Sequence, residues 1–218
     1  MNILNPNSEV MRALEGIFYL IVLGLLWLLL SFTIIGIGPA SVAFYYAIAK
    51  SVRKGRGTPF QEFFSALKLK QNWLTALIIN VLLLLFGWVL YIYDWNYIII
   101  WINTGTMPDM LQTVLAIVKT FFLLGIACFV YPIISRFKVN VPKALMLSLF
   151  FCLRYFWITI LAVALLLLAL VVAIAYPALS WFVPGVFVWL LSYPLESILR
   201  KYVPDADNSN PDAWYLEK

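Results

Sequence analysis

At 218 residues, with 64% hydrophobic and only 11% charged side chains, the chain has too little polar surface to coat a globule in water, where charged residues ordinarily make up about a quarter of the total. A mean hydropathy of +0.96 makes lipid the solvent for much of it. The net charge of +5, from 15 Lys and Arg against 10 Asp and Glu, is spread through short segments between apolar runs, so it reads as membrane topology and excludes a nucleic-acid partner.

Inside a bilayer every backbone amide must be satisfied within its own structure, which leaves helices or a closed barrel. Ala162 to Ala175 contains no polar side chain, whereas barrel strands alternate apolar and polar. The expected fold is therefore all-α, a polytopic transmembrane bundle of about six membrane helices, the second one short, with amphipathic interfacial helices on the cytoplasmic side.

The first apolar run, Ala13 to Ala49, would be about 55 Å long as one helix, nearly twice a single crossing. A structural helix break is expected at Gly36-Ile37-Gly38-Pro39, where glycine loosens one helix and Pro39 suits the first turn of the next. This gives spans over 13–35 and 39–53. The basic stretch Lys50-Ser51-Val52-Arg53-Lys54-Gly55-Arg56 follows. Thr58 and Gln61 then form a capping-box start around Pro59. Phe60, Phe63, Phe64 and Leu67 recur at helical spacing, with Gln61, Glu62, Lys68 and Lys70 on other faces, so 59–70 is expected as an interfacial amphipathic helix.

A third span is expected over 73–93, then a loop beginning at Asp94-Trp95-Asn96 and reaching Asp109. This loop has acids and no Lys or Arg, which places it outside. The fourth span, 111–134, returns to Arg136, Lys138 and Lys143, and Pro142 opens a second interfacial helix over 142–153. Spans 155–176 and 183–198 follow, the last closing on Arg200-Lys201. Residues 1–203 thus form a single transmembrane domain, and 204–218, rich in Asp, Asn and Pro, form a cytoplasmic polar tail with little to bury. Basic residues kept on one side put the C-terminus in the cytoplasm, and the hairpin made by the first two helices puts the N-terminus there too. The first run is too long for a cleavable signal peptide and is expected to remain as an anchor.

Lys119, Asp94 and Glu196 are the candidate intramembrane polar site. Lys119 lies within an apolar helix, where an unpaired ammonium costs about 3 kcal/mol or more. It either pairs with Asp94 or Asp109 or snorkels its long stem outward. Glu196 and Arg200 have the i, i+4 spacing of a local ion pair after Pro194, with a gating or docking position as the sharper alternative. Lys50, Arg53, Lys54, Arg56, Phe60, Phe63, Phe64, Lys68 and Lys70 make a candidate partner- or lipid-docking face, although positive-inside topology alone would also place the cations there. Lys70-x-x-Trp73-x-Thr75 is echoed by Arg154-x-x-Trp157-x-Thr159, a pattern any membrane interface favours.

The chain has no histidine, and Cys128 and Cys152 lie on different helices without a CxxC partner. Neither a metal, a cofactor nor a disulfide is expected. No nucleotide loop, nucleophile elbow or paired-carboxylate constellation is present, so an enzyme is not expected.

Gly38-Pro39-Ala40, Ala43-Phe44-Tyr45, Lys50 with Arg53-Lys54-Gly55, Phe60-x-x-Phe63-Phe64 and Trp73 together resemble the signature region of the YesL-like family. That is a group of bacterial multi-spanning proteins catalogued as a domain of unknown function. The resemblance implies a bacterial plasma-membrane location and an association with carbohydrate uptake by ATP-driven (ABC-type) importers. It supplies no catalytic residues. The EAA-type cytoplasmic loop of importer permeases is lacking, which speaks against a translocating subunit. The expected function is thus a non-enzymatic accessory membrane protein of a carbohydrate uptake system, touching the bilayer, importer subunits or further copies of itself. The alternative is a small-molecule transporter or channel acting as a homo-oligomer.

Overall fold

The structure, a computed structural model, describes residues 9–68, 70–104, 110–137 and 139–202. The tail 204–218, Asp109 and Lys138 lie outside the described residues, as do the side chains of Arg12 and Lys70. Among the described residues the chain is helical and contains no strand. The elements are α1 (Glu9–Ser31), α2 (Ile37–Ala47), α3 (Pro59–Lys68), α4 (Lys70–Leu90), α5 (Asn96–Thr104), α6 (Met110–Arg136), α7 (Val141–Arg154), α8 (Phe156–Ala175) and α9 (Val183–Leu199).

Among the described residues five segments are long and apolar enough to cross a membrane: Leu14–Ser31, Ile34–Val52, Trp73–Asn103, Met110–Arg136 and Phe156–Ala175. The helix α9, with 17 residues, measures about 25 Å, somewhat less than the roughly 30 Å hydrocarbon core. Leu29, Phe86, Trp157 and Ile174 are among many large apolar side chains left exposed around the bundle, a surface that hydrocarbon solvates and water does not.

The first helical break falls earlier than the glycine-proline signal suggested. A 3-10 turn over Ile34–Gly36 already leads into α2, so Gly38 and Pro39 sit inside its first turn. The whole helical stretch Ile34–Val52 has 19 residues, about 28 Å, which brings this short helix close to a full crossing. Gly38 serves a different purpose there. A Cβ at this position would collide with the Ala76 carbonyl oxygen and come within 2.8 Å of the Asn80 Cβ, so glycine lets α2 lie directly against α4, the usual role of small residues between membrane helices. The same device joins α1 to α9. A side chain at Gly24 would strike the Trp181 carbonyl, and one at Gly185 would come within 2.7 Å of the Leu20 carbonyl.

The third span also departs from expectation. Instead of a loop at Asp94-Trp95-Asn96, a π-helical turn over Tyr91–Trp95 carries the helix on into α5 and as far as Thr104. Two effects permit it. The segment after Asn96 is itself mainly apolar, and the buried Asp94 carboxylate finds a cation in Lys119 of α6.

The short helices occupy equivalent places. α3 packs back against α2 before the chain enters α4, and α7 packs back against α6 before α8. Phe63 and Ala66 of α3 enter a cluster with Phe44, Ala47 and Ile48, while Phe151 and Cys152 of α7 join Phe129, Cys128, Leu191 and Leu195.

Candidate functional site

One group of buried polar side chains lies where α2, α6 and α9 meet. Arg136, in the last turn of α6, donates from both Nε and Nη2 to Glu196 Oε1, the Nε contact being 3.1 Å. Their side chains are only 3% and 7% exposed. Tyr45 of α2 donates its hydroxyl to the same oxygen at 2.8 Å, so three helices meet on one carboxylate. Charge-assisted bonds of this kind are strong because desolvated partners leave one another no substitute. Glu196, expected to pair locally with Arg200, thus takes its partners from across the bundle.

The basic segment after α2 is drawn into the same region. Arg53 donates from Nη1 to the Ser192 carbonyl at 2.9 Å and lies 4.6 Å from the Tyr193 ring centroid. Lys50 lies in a π-helical turn, Ile48–Val52, and is buried. Its ammonium meets Glu62 Oε2 at 2.8 Å and the Tyr46 hydroxyl at 3.2 Å. The ion pair fastens α3 back onto α2. Gly57 makes the return possible, because its φ of +71° suits glycine and a Cβ there would run into the Glu62 carboxylate.

The candidate docking face is therefore divided. Lys50 and Arg53 spend their charge within the fold, and Phe63 is fully buried. Phe60 and Phe64 stay exposed at 41% and 47%, lining a shallow depression with Gln61, Ser65 and Lys68. Lys54 is partly buried, whereas Arg56 and Lys68 are exposed.

The candidate intramembrane set is divided as well. Lys119 of α6 meets both oxygens of Asp94 at 3.1 Å, with side-chain exposures of 49% and 8%. The adjacent Trp95 donates its indole N–H to Thr120 at 2.9 Å, so two polar contacts join the π-helical turn to α6. Glu196 belongs to the other cluster. A π-helical turn thus carries Lys50 in one ion pair and Asp94 in another, in keeping with the association of such turns with sites that need a side chain redirected.

Arg136, Tyr45 and Glu62, the partners that complete these pairs, were not singled out from sequence. Arg136 and Glu196 are separated by 60 residues, so no local spacing joins them. The capping-box pattern marked the start of α3 but not the ion pair Glu62 makes.

A cavity of about 370 Å³ opens beside this junction, between α1, α2, α6, α8 and α9. Its wall is almost wholly hydrocarbon, and Tyr45 is common to the cavity and the ionic cluster. Among the described residues no group of three or more His, Cys, Asp or Glu side chains is placed to hold a metal ion.

Residues 20–94 match the model of a family described as "Protein of unknown function, DUF624". DUF624 is the YesL-like family, so the match, which spans about a third of the chain, agrees with the resemblance of the Gly38 to Trp73 region. No curated protein and no solved structure matches the chain.

Proposed function

We propose that this DUF624 membrane protein is a non-enzymatic accessory component of an ABC-type carbohydrate uptake system, and that it docks a partner through the outward face of α3. The observation behind this reading is how α3 is mounted. Phe63 and Ala66 anchor it, the Lys50–Glu62 ion pair braces it, and Phe60 and Phe64 remain exposed beside Lys68. A rigidly held aromatic pair with a cation at its edge has the composition of an interface anchor. On the positive-inside reading this face is cytoplasmic in a bacterial plasma membrane, the side on which an importer's ATP-hydrolysing subunits lie. The carbohydrate assignment itself rests on what the family resemblance implies.

A photo-cross-linking amino acid at position 64 should capture an importer subunit from native membranes, and one at the buried position 63 should not. Failure to capture any importer component, together with unchanged sugar uptake after deletion of the protein, removes the proposal. The second reading, a transporter or channel working as a homo-oligomer, rests on the ion pair that Lys119, within an apolar helix, makes with Asp94. It calls for reconstituted flux that disappears in Lys119→Ala; flux that persists would discard Lys119 as its site.

A further inference from the structure

The cavity between α1, α2, α6, α8 and α9 has a defined chemistry. At about 370 Å³ it falls within the roughly 300–1,000 Å³ range of small-molecule pockets. Such pockets normally offer a few convergent polar groups to fix a ligand. Here the polar side chains of the wall are engaged with the protein itself. Trp27 donates its indole N–H to Ser41 Oγ at 3.0 Å. Tyr45 donates to Glu196 at 2.8 Å and Tyr131 to Asn80 Oδ1 at 3.2 Å. Ser180 donates to the Pro177 carbonyl at 2.7 Å. Cys128 adds only a thiol, a weak donor that packs as a small apolar group.

A sugar or an ion entering such a space would lose its hydration and gain little in return. A hydrocarbon chain gives up no hydration and fills a void whose lining otherwise lacks partner atoms. The neighbourhood supplies that chain, since the outer faces of the helices forming the cavity carry exposed apolar side chains such as Leu29 of α1 and Ile174 of α8, the surface that lipid tails cover.

We propose that this cavity is a binding site for one acyl chain of a bilayer phospholipid, inserted between α8 and the α2–α6–α9 junction. The site is distinct from the α3 face and does not depend on the partner proposed for it. Because Tyr45 forms part of the wall and also holds Glu196, an inserted chain packs directly against the residue that ties α2 to α9.

The test uses the full-length protein in phosphatidylcholine vesicles containing phosphatidylcholine with a photoreactive diazirine midway along one acyl chain. After illumination, adducts are mapped by peptide mass spectrometry. Adducts are expected on the peptides around Ala127–Tyr131 and Phe187–Leu191. Ala169→Phe, which fills the cavity from α8, should lower them about tenfold, as for a loss of roughly 1.4 kcal/mol in chain binding. Labelling of the outward-facing Ile174 should stay unchanged. Ala127→Leu fills the same space from α6 and serves where Ala169→Phe does not fold. Cavity labelling that survives both substitutions overturns the proposal. So does labelling of these peptides by a diazirine-bearing free fatty acid but not by the phospholipid, which would identify a different source of the chain.

Discussion

Arg136 and Glu196 stand in the last turns of two different helices, α6 and α9, and meet in an ion pair that is almost fully enclosed, with Tyr45 bonded to the same carboxylate oxygen. Removing either partner leaves a buried charge with no replacement solvent. Glu196→Gln and Arg136→Met should each cost about 3–5 kcal/mol, read as a lowered unfolding midpoint in detergent. The double replacement Arg136→Met with Glu196→Leu should recover much of the loss, because it removes both desolvation penalties together. Single variants as stable as the parent would show that the pair does not hold these helices.

The helix contacts made through glycine give a sharper contrast. Gly24→Leu pushes a side chain into the backbone at Trp181, in the turn that leads into α9, and Gly185→Leu pushes one into the backbone of α1 at Leu20. Overpacking of this kind costs about 1–3 kcal/mol, and backbone yields less readily than a flexible side chain. Gly16, on the same helix as Gly24, has nothing within 4 Å of its Cβ position. Gly16→Leu should leave the unfolding midpoint where it is, and an equal loss at positions 16 and 24 would contradict the α1–α9 contact.

Phe63 and Phe64 are sequence neighbours with opposite fates. Phe63→Ala should destabilise by about 3–5 kcal/mol, the usual cost of emptying an enclosed aromatic site. Phe64→Ala should stay within about 0.5 kcal/mol while abolishing any cross-linking that depends on the α3 face. Loss of stability at both positions would mean that Phe64 is covered within the fold.

Lys119 and Asp94 form an asymmetric pair, one partner half exposed and the other buried. Lys119→Met strands the Asp94 carboxylate and should cost about 1–2 kcal/mol, a value discounted for the exposed partner. Adding Asp94→Leu should restore stability, and a thermal-unfolding cycle of the two single variants and the double variant measures the coupling. Additive effects would show that the two side chains act independently.

Cys152, on α7, is buried, and burial pushes its thiol above the ordinary range, with the Thr159 hydrogen bond acting in the opposite direction. The thiolate is the reactive form, so a maleimide near neutral pH should label it slowly in folded protein and rapidly once denatured. Fast labelling in the folded state would place this face of α7 outside the core.

Sequence alone determined the class of solvent and the kind of backbone. A chain so poor in charge needs hydrocarbon around it, and runs of apolar residues without alternation leave helices as the way to satisfy amides there. Periodicity alone marked α3 as amphipathic, since Phe60, Phe63 and Phe64 share a face by spacing. Tertiary structure decided which of those rings is covered, where the first helical hairpin turns, and whom the charges meet. Gly38 has the same composition signal whether it breaks a helix or admits a neighbour, and only the approach of α4 at Ala76 distinguishes the two. Glu196 carries an adjacent i+4 arginine, yet it is held by Arg136 and Tyr45 from distant segments. Ion pairing inside a low-dielectric bundle is fixed by which helices are driven together, and that depends on packing over the whole fold, which no local spacing encodes.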